Sequence, residues 1–192
     1  MIRVQVHGSM KKNNVQIKQG LEISGVPPIV YKTTLVLEGH QKLRDMILVN
    51  QFFNDDAETK GFFVYGSSPT NTRKIFYLIA KELFLSGMSV YCISLLNLME
   101  ELDSQEITKV TNSVDQSKCI FILDFFEDDA AFPFTPLQAW KLRAWVKDKF
   151  NKTGMVCFLS DVRLIKCVDW WPKQFLTYLR ENIIEYEVIV KA

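Results

Sequence analysis

Residues 62–80 read Phe62-Phe63-Val64-Tyr65-Gly66-Ser67-Ser68-Pro69-Thr70-Asn71-Thr72-Arg73-Lys74-Ile75-Phe76-Tyr77-Leu78-Ile79-Ala80. An apolar run, a glycine-led polar loop and a helical apolar pattern follow in turn, which is the strand–loop–helix order of a phosphate-binding loop. A working loop of that kind reads G-x-x-x-x-G-K-[ST], with the lysine on the β- and γ-phosphates and the hydroxyl on Mg²⁺. Aligned on Gly66, the second glycine is Asn71, the lysine is Thr72 and the magnesium ligand is Arg73. The nearest lysine, Lys74, falls two residues late. The stretch keeps the framework of a nucleotide site and lacks its chemistry.

Outward from this stretch, strand and helix patterns alternate. The helix predicted over 73–86 ends at Gly87, a common residue just past a helix end. Residues 88–93 predict a second strand, and Ser94 can cap a short helix through Leu102. The polar stretch 103–118 reads as a loop with a helical piece, and 119–124 as an apolar strand ending in Asp124. Thr135-Pro136-Leu137-Gln138 has the form of a capping box with proline at the first helical position. Its helix runs to about Lys152, before Gly154. A strand over 155–159, a helix over 172–182 and a strand over 184–190 complete the chain.

Toward the N-terminus, an apolar-periodic segment from His40 to Phe53 predicts a helix closed by Asn54-Asp55-Asp56, and Gly25-Val26-Pro27-Pro28 predicts a turn. Residues 1–20 are polar, with Arg3, Lys11, Lys12 and Lys18 and no acid before Glu22. They read as a flexible arm ahead of a single domain over 21–192. Strands that are apolar throughout and separated by helices imply a parallel sheet covered on both faces. The expected fold class is therefore α/β: a three-layer, parallel-sheet core of the P-loop NTPase type. No internal repeat is present.

Composition narrows the function classes. At 192 residues, the chain suits one domain with a substantial core. Apolar residues make up 48% and charged residues 23%, the balance of an ordinary folded protein. The net charge is +1, so no global field steers the protein to DNA or anionic lipid, and nucleic-acid contact would need a local patch. Of the four cysteines, Cys92, Cys119 and Cys157 lie in apolar runs, where a free thiol behaves as a small hydrophobe, and Cys167 stands apart. There is no C-x-x-C pair, and the two histidines, His7 and His40, are far from any cysteine, so no metal site is expected. Reduced thiols fit a cytoplasmic protein. No apolar run reaches the ~18 residues of a membrane helix, and the N-terminus lacks a signal-peptide core. His7-Gly8-Ser9-Met10 can be native sequence or a cloning remnant before a second start at Met10.

Several segments, in order, resemble one family. Gly25-Val26-Pro27-Pro28 with Tyr31 and Thr34-Leu35 is similar to its lead-in, and Gly61-Phe62-Phe63-Val64-Tyr65-Gly66 to the strand before its phosphate loop. Ala80-Lys81-Glu82-Leu83 with Gly87-Met88-Ser89-Val90 resembles its first helix and second strand. Thr135-Pro136-Leu137-Gln138-Ala139-Trp140, Trp170-Trp171 and Tyr178-Leu179-Arg180-Glu181-Asn182 add to the likeness. The family is that of the AAA+ replicative-helicase loaders of bacteria and phages, with the related ATP-binding helper proteins of insertion sequences. The resemblance spans roughly residues 21–190.

That resemblance implies two acids at the end of the 119–124 strand, one holding Mg²⁺ through water and one polarising the attacking water. Here Asp124 is followed by Phe125, which can neither orient water nor accept a proton. The position that is usually an asparagine after the 155–160 strand is Asp161, whose charge would repel a γ-phosphate. Phosphoryl transfer rests on positioning and charge neutralisation. Losing the lysine, the hydroxyl and the second acid, at ~3 kcal/mol each, leaves negligible hydrolysis. Pro69 also lacks an N–H where backbone amides would cradle phosphate.

The remaining residues have two readings. Gly66, Thr70, Thr72, Arg73, Lys74 and Asp124 are a vestigial nucleotide site, or this is a plain helix start with Thr72 as its N-cap. Accordingly no cofactor is expected, with ATP or ADP and Mg²⁺ as the alternative.

Three other groups are candidates for contact. The 139–152 helix carries Lys141, Arg143, Lys147, Lys149 and Lys152 with Trp140 and Trp145, and its Ala139, Leu142, Val146 and Phe150 share a core face. Basic residues among aromatics can hold single-stranded DNA; the alternative is an ordinary solvated helix. The basic arm is a comparable candidate. Trp170 and Trp171 are a partner anchor or a plug on the sheet edge. Arg180 can serve a neighbouring subunit or form a surface ion pair. The acidic cluster Glu127-Asp128-Asp129 is a solvated loop or a docking surface for a basic partner.

The function expected is that of an ATPase-inactive, loader-like protein of DNA replication or mobile-element maintenance. Its partners would be a replicative helicase or another AAA+ protein, single-stranded DNA, or both, in an oligomer or not, with no membrane contact. The alternatives are an active loader with a shifted loop using Lys74, and a pure protein-interaction module that mimics a loader.

Overall fold

The computed structural model describes residues 14–45, 60–103, 116–126, 135–152, 154–169 and 171–189. In chain order the elements are α1 (Asn14–Ile23), a 3₁₀ helix (Pro28–Val30), β1 (Gly61–Tyr65), α2 (Pro69–Leu85), β2 (Val90–Ser94) and α3 (Leu95–Asp103). They continue with β3 (Cys119–Phe126), α4 (Pro136–Asn151), β4 (Met155–Ser160), a second 3₁₀ helix (Leu164–Asp169), α5 (Lys173–Asn182) and β5 (Ile184–Glu187). Five parallel strands stand in the order β2-β3-β4-β1-β5. The three-layer α/β architecture expected from the apolar runs is the one found.

Alternation along each strand divides the core. Phe62, Val64, Phe121, Cys157 and Leu159 face α1, α2 and the lead-in, while Phe63, Ile120, Ile122, Val156 and Phe158 face α3, α4 and α5. β1 and β4 are buried along their whole length, which is why they read as continuous apolar runs.

Local chemistry sets the helix ends. Thr135 accepts from the Gln138 N–H while the Gln138 side chain accepts from the Thr135 N–H, the capping box expected. Ser94 Oγ accepts from Asn97 N–H at 3.2 Å and so caps α3. Two differences concern the N-terminal half. α1 starts at Asn14, inside the stretch expected as an arm, because Leu21 and half-buried Ile17 dock it beside α2 and Gly20 lets Phe84 approach. Past its end at Ile23 stands Gly25, whose φ of 75° lets Val26 N–H reach the Leu21 carbonyl at 2.9 Å. Of the helix expected from His40 to Phe53, residues 41–45 are helical and 46–53 lie outside the described residues, as do 127–134.

Lys81 holds the lead-in. It is buried on α2, and its ammonium donates to the carbonyls of Val30 (3.1 Å), Tyr31 (3.0 Å) and Thr33, at the end of the first 3₁₀ helix. Further along the same segment, the Cys92 N–H of edge strand β2 donates to the Ser24 carbonyl at 2.9 Å.

The chain order fixes where a ligand site belongs. β1 is followed by the strand on one margin and β4 by the strand on the other. The connections therefore part between β1 and β4, and the crevice lies at their carboxyl ends.

Candidate functional site

The crevice is built from the ends of β1, β3 and β4, the first turn of α2, and the segment after β5. The link from β1 to α2 is only Gly66, Ser67 and Ser68, because the helix begins at Pro69. This corrects the predicted start at residue 73 and the reading of Thr72 as the N-cap. Proline fits the first helical turn, where no N–H is needed, so the cap position falls to Ser68. Thr72 lies one turn inside the helix, fully buried, and its hydroxyl donates to the Ser68 carbonyl at 2.9 Å.

Gly66 is required by packing. A Cβ there would lie 2.6 Å from Thr72 Oγ1 and 2.7 Å from the Val188 carbonyl oxygen. Val188 is drawn in by its own N–H, which donates to the Tyr65 carbonyl at 2.7 Å. The next two residues of α2 are engaged across the crevice. Arg73 Nη2 donates to Asp124 Oδ1, and Lys74 Nζ to Glu38 Oε1 at 2.7 Å. That ammonium, with a 3.0 Å hydrogen bond from Thr33, holds the Glu38 carboxyl below the usual carboxylate range. Thr70 and Asn71 are exposed.

Asp124 reaches Arg73 through a bulge. Ile122 pairs with Phe158 and Phe126 with Ser160, so Leu123, Asp124 and Phe125 together oppose Leu159. Asp124 takes a left-handed conformation, φ 59°, which aspartate tolerates better than most residues. The same bulge turns Phe125 into the α4–α5 side of the core. It packs on Phe63 (5.7 Å between ring centroids), Phe158 (4.9 Å) and Trp171 (4.9 Å, planes 7° apart). At the end of β4, Ser160 is buried and its hydroxyl both donates to the Val162 carbonyl and accepts from the Val162 N–H; Asp161 is half-buried.

A cavity of about 310 Å³ lies beside the head of α2, lined by Glu38, Gly39, His40, Asn71, Lys74, Ile75, Val188 and Ile189. His40 Nδ1 is 2.9 Å from the Tyr186 hydroxyl, and burial holds its imidazole below its ordinary value while the Glu38 carboxylate pulls the other way.

No family model and no curated protein matches this sequence. Solved structures match its fold. DnaI superposes with a TM-score of 0.62 at 13% identity, over 86% of this chain and 92% of that one. The DnaC helicase loader gives 0.55 at 14%, over 76% and 89%. AMPPCP-bound DnaA from Aquifex aeolicus gives 0.62 at 14%, over 86% of this chain and 51% of that one. The chain shares its fold with these structures, a three-layer α/β core around a parallel sheet. It spans nearly the whole of the DnaI structure and about half of the DnaA chain.

Within this fold, the head of α2 makes its contacts inside the protein. The link from β1 is three residues long, the position aligned with the phosphate lysine is buried Thr72, and Arg73 is joined to Asp124. Asn71 and Lys74 line the neighbouring cavity. Among the described residues no group of three or more His, Cys, Asp or Glu is placed to hold a metal. All four cysteines are free thiols, and burial pushes Cys119 and Cys167 up to about 12. Among the described residues no helix is long and apolar enough to cross a membrane.

Each basic residue named for the 139–152 helix has a neighbour inside the protein. Lys141 pairs with Asp103 at 2.5 Å, Arg143 donates to Gln174 at 3.3 Å and Lys152 pairs with Asp148 at 2.7 Å. Lys147 sits 5.0 Å from the Tyr178 ring centroid, and buried Lys149 sits 5.8 Å from that of Trp145. Trp140 is 64% exposed. Of the tryptophan pair, Trp171 packs inward, which both readings allow, and Trp170 lies outside the described residues. Arg180 is exposed in the last turn of α5. Sequence reasoning missed Lys81, Glu38 and Tyr186. Lys81 alone left a signal: a lysine inside the buried stripe of Leu78, Ile79, Ala80 and Leu83.

Proposed function

We propose that this chain is an ATPase-inactive, loader-like protein of DNA replication or mobile-element maintenance, working in the cytoplasm by contact. Its partner is a replicative helicase or another AAA+ protein, with single-stranded DNA as a further ligand. One observation carries the reading. The five-stranded parallel core is kept while the crevice groups expected to meet a nucleotide have partners inside the protein: Thr72 with Ser68, Arg73 with Asp124, Lys74 with Glu38. The likeness to DnaI and the DnaC helicase loader supports the replication setting.

The test is a titration with fluorescent ATP and ADP, with and without Mg²⁺. No binding at millimolar nucleotide is expected. Saturable micromolar binding would restore the second reading, a nucleotide-binding loader that uses Lys74. The observation favouring that alternative is the cavity of about 310 Å³ next to Lys74 and Asn71, within the size range of small-molecule sites. It requires that Lys74→Ala abolish the binding. A protein that binds one partner tightly but shows no DNA binding at low salt, where phosphate contacts are strongest, is instead a pure interaction module.

A further inference from the structure

In phosphate-loop NTPases the metal ion bridges the loop's Ser/Thr and an aspartate at a strand end. In this chain the residue aligned with that Ser/Thr is Arg73, and it donates directly to Asp124 near the carboxyl end of β3. We propose that the Arg73 guanidinium is a permanent, covalently tethered substitute for the metal, bracing α2 against β3 with no ligand bound. This deepens the reading of an inactive site and rests on it.

Three features carry the inference. The two positions that would share a cation are joined by one that belongs to the chain. The β3 bulge and the left-handed backbone at Asp124 bring that carboxylate to Arg73 and, in the same turn, send Phe125 into the core. The space beside Gly66 is filled by Thr72 Oγ1 and the Val188 carbonyl, so the start of the loop is packed against protein. A guanidinium suits the substitution because it stays charged at any pH the protein meets and presents several donors in a fixed plane.

The test is a thermal-unfolding cycle with Arg73→Gln, Asp124→Asn and the double variant, combined with MgCl₂ and ATP·Mg titrations of the unaltered protein. Asparagine tolerates the left-handed conformation, so Asp124→Asn removes charge without new strain. Each single variant is expected to lower Tm by about 2–4 °C. The double variant should fall no further than the lower single variant, and neither MgCl₂ nor ATP·Mg should move the unaltered protein. Additive losses in the absence of nucleotide binding would overturn the brace alone. A Tm that rises with ATP·Mg would overturn the inactive-site reading and the brace with it.

Discussion

Trp171 lies flat on Phe125, ring centroids 4.9 Å apart and planes 7° apart, at the position where the loader resemblance calls for a second catalytic acid. A carboxylate at 125 would have to sit among Phe63, Phe158, Trp171 and Phe175, all buried. Phe125→Glu should therefore lose more than about 4 kcal/mol in urea unfolding and gain no ATPase activity, since a lone buried charge has no partner there. Phe125→Ala should cost about 3–5 kcal/mol through the cavity it leaves. A Phe125→Glu protein as stable as the parent would contradict this packing.

Restoring the aligned lysine should fail for a related reason. Position 72 is buried one turn inside α2, and its hydroxyl already crowds the space over Gly66. Thr72→Lys is expected to lower stability by about 2–4 kcal/mol, the range for overpacking combined with a buried charge, and to leave nucleotide binding where it was. Calorimetric titration with ATP·Mg on the folded variant checks the second half.

Lys81→Met keeps the aliphatic stem and removes three hydrogen bonds to the lead-in carbonyls. The expected cost is about 2–4 kcal/mol, because those acceptors lose an ionic donor. Limited proteolysis should show earlier cleavage between residues 28 and 40 in the variant than in the parent.

Acid should destabilise the protein in two windows. Burial depresses the folded His40 below its ordinary 6.5, so the unfolded chain takes up the proton first and stability falls as pH drops below that value. Glu38 is depressed below its ordinary 4.5, chiefly by Lys74, so its contribution is present above that pH and is lost beneath it. Thermal unfolding between pH 8 and 2 should show the upper window flattened in His40→Gln and the lower one retained. Identical profiles for the two proteins would rule out the histidine assignment.

Trp140 and Trp171 should respond in opposite ways. Trp171→Ala should cost about 3–5 kcal/mol, whereas Trp140→Ala, at a 64% exposed site, should leave Tm nearly unchanged. If α4 meets single-stranded DNA, Trp140→Ala should weaken binding by about 1–3 kcal/mol, and affinity should fall steeply with salt. Anisotropy with a labelled oligonucleotide at two salt concentrations measures both effects.

The sheet and most of its helices were legible because burial on both faces writes continuous apolar runs, as in Phe62–Tyr65 and Met155–Leu159, and because the Thr135–Gln138 box is a local signal. The sequence hides the start of α2 because the missing N–H of Pro69 matters in a phosphate cradle and not at the first turn of a helix. α1 was hidden in polar sequence, since Leu21 is its one fully buried residue. The substitutions in the phosphate loop were plain from alignment on Gly66. The partners those residues acquired were not: Arg73 finds Asp124 across 51 positions and Lys74 finds Glu38 across 36. Pairings at such separations, and the β3 bulge that makes one of them, depend on tertiary geometry that no local pattern encodes.

The bond from Cys92 N–H to the Ser24 carbonyl has a practical bearing on how the chain can be shortened. β2 is a margin of the sheet, and an open margin recruits strands from other molecules. Ser24 reaches it because the chain turns at Gly25, just past the end of α1, and because Lys81 fastens the segment that follows. A chain trimmed to begin beyond Gly25 would keep the crevice and lose that cover, and its expected fault is self-association through β2.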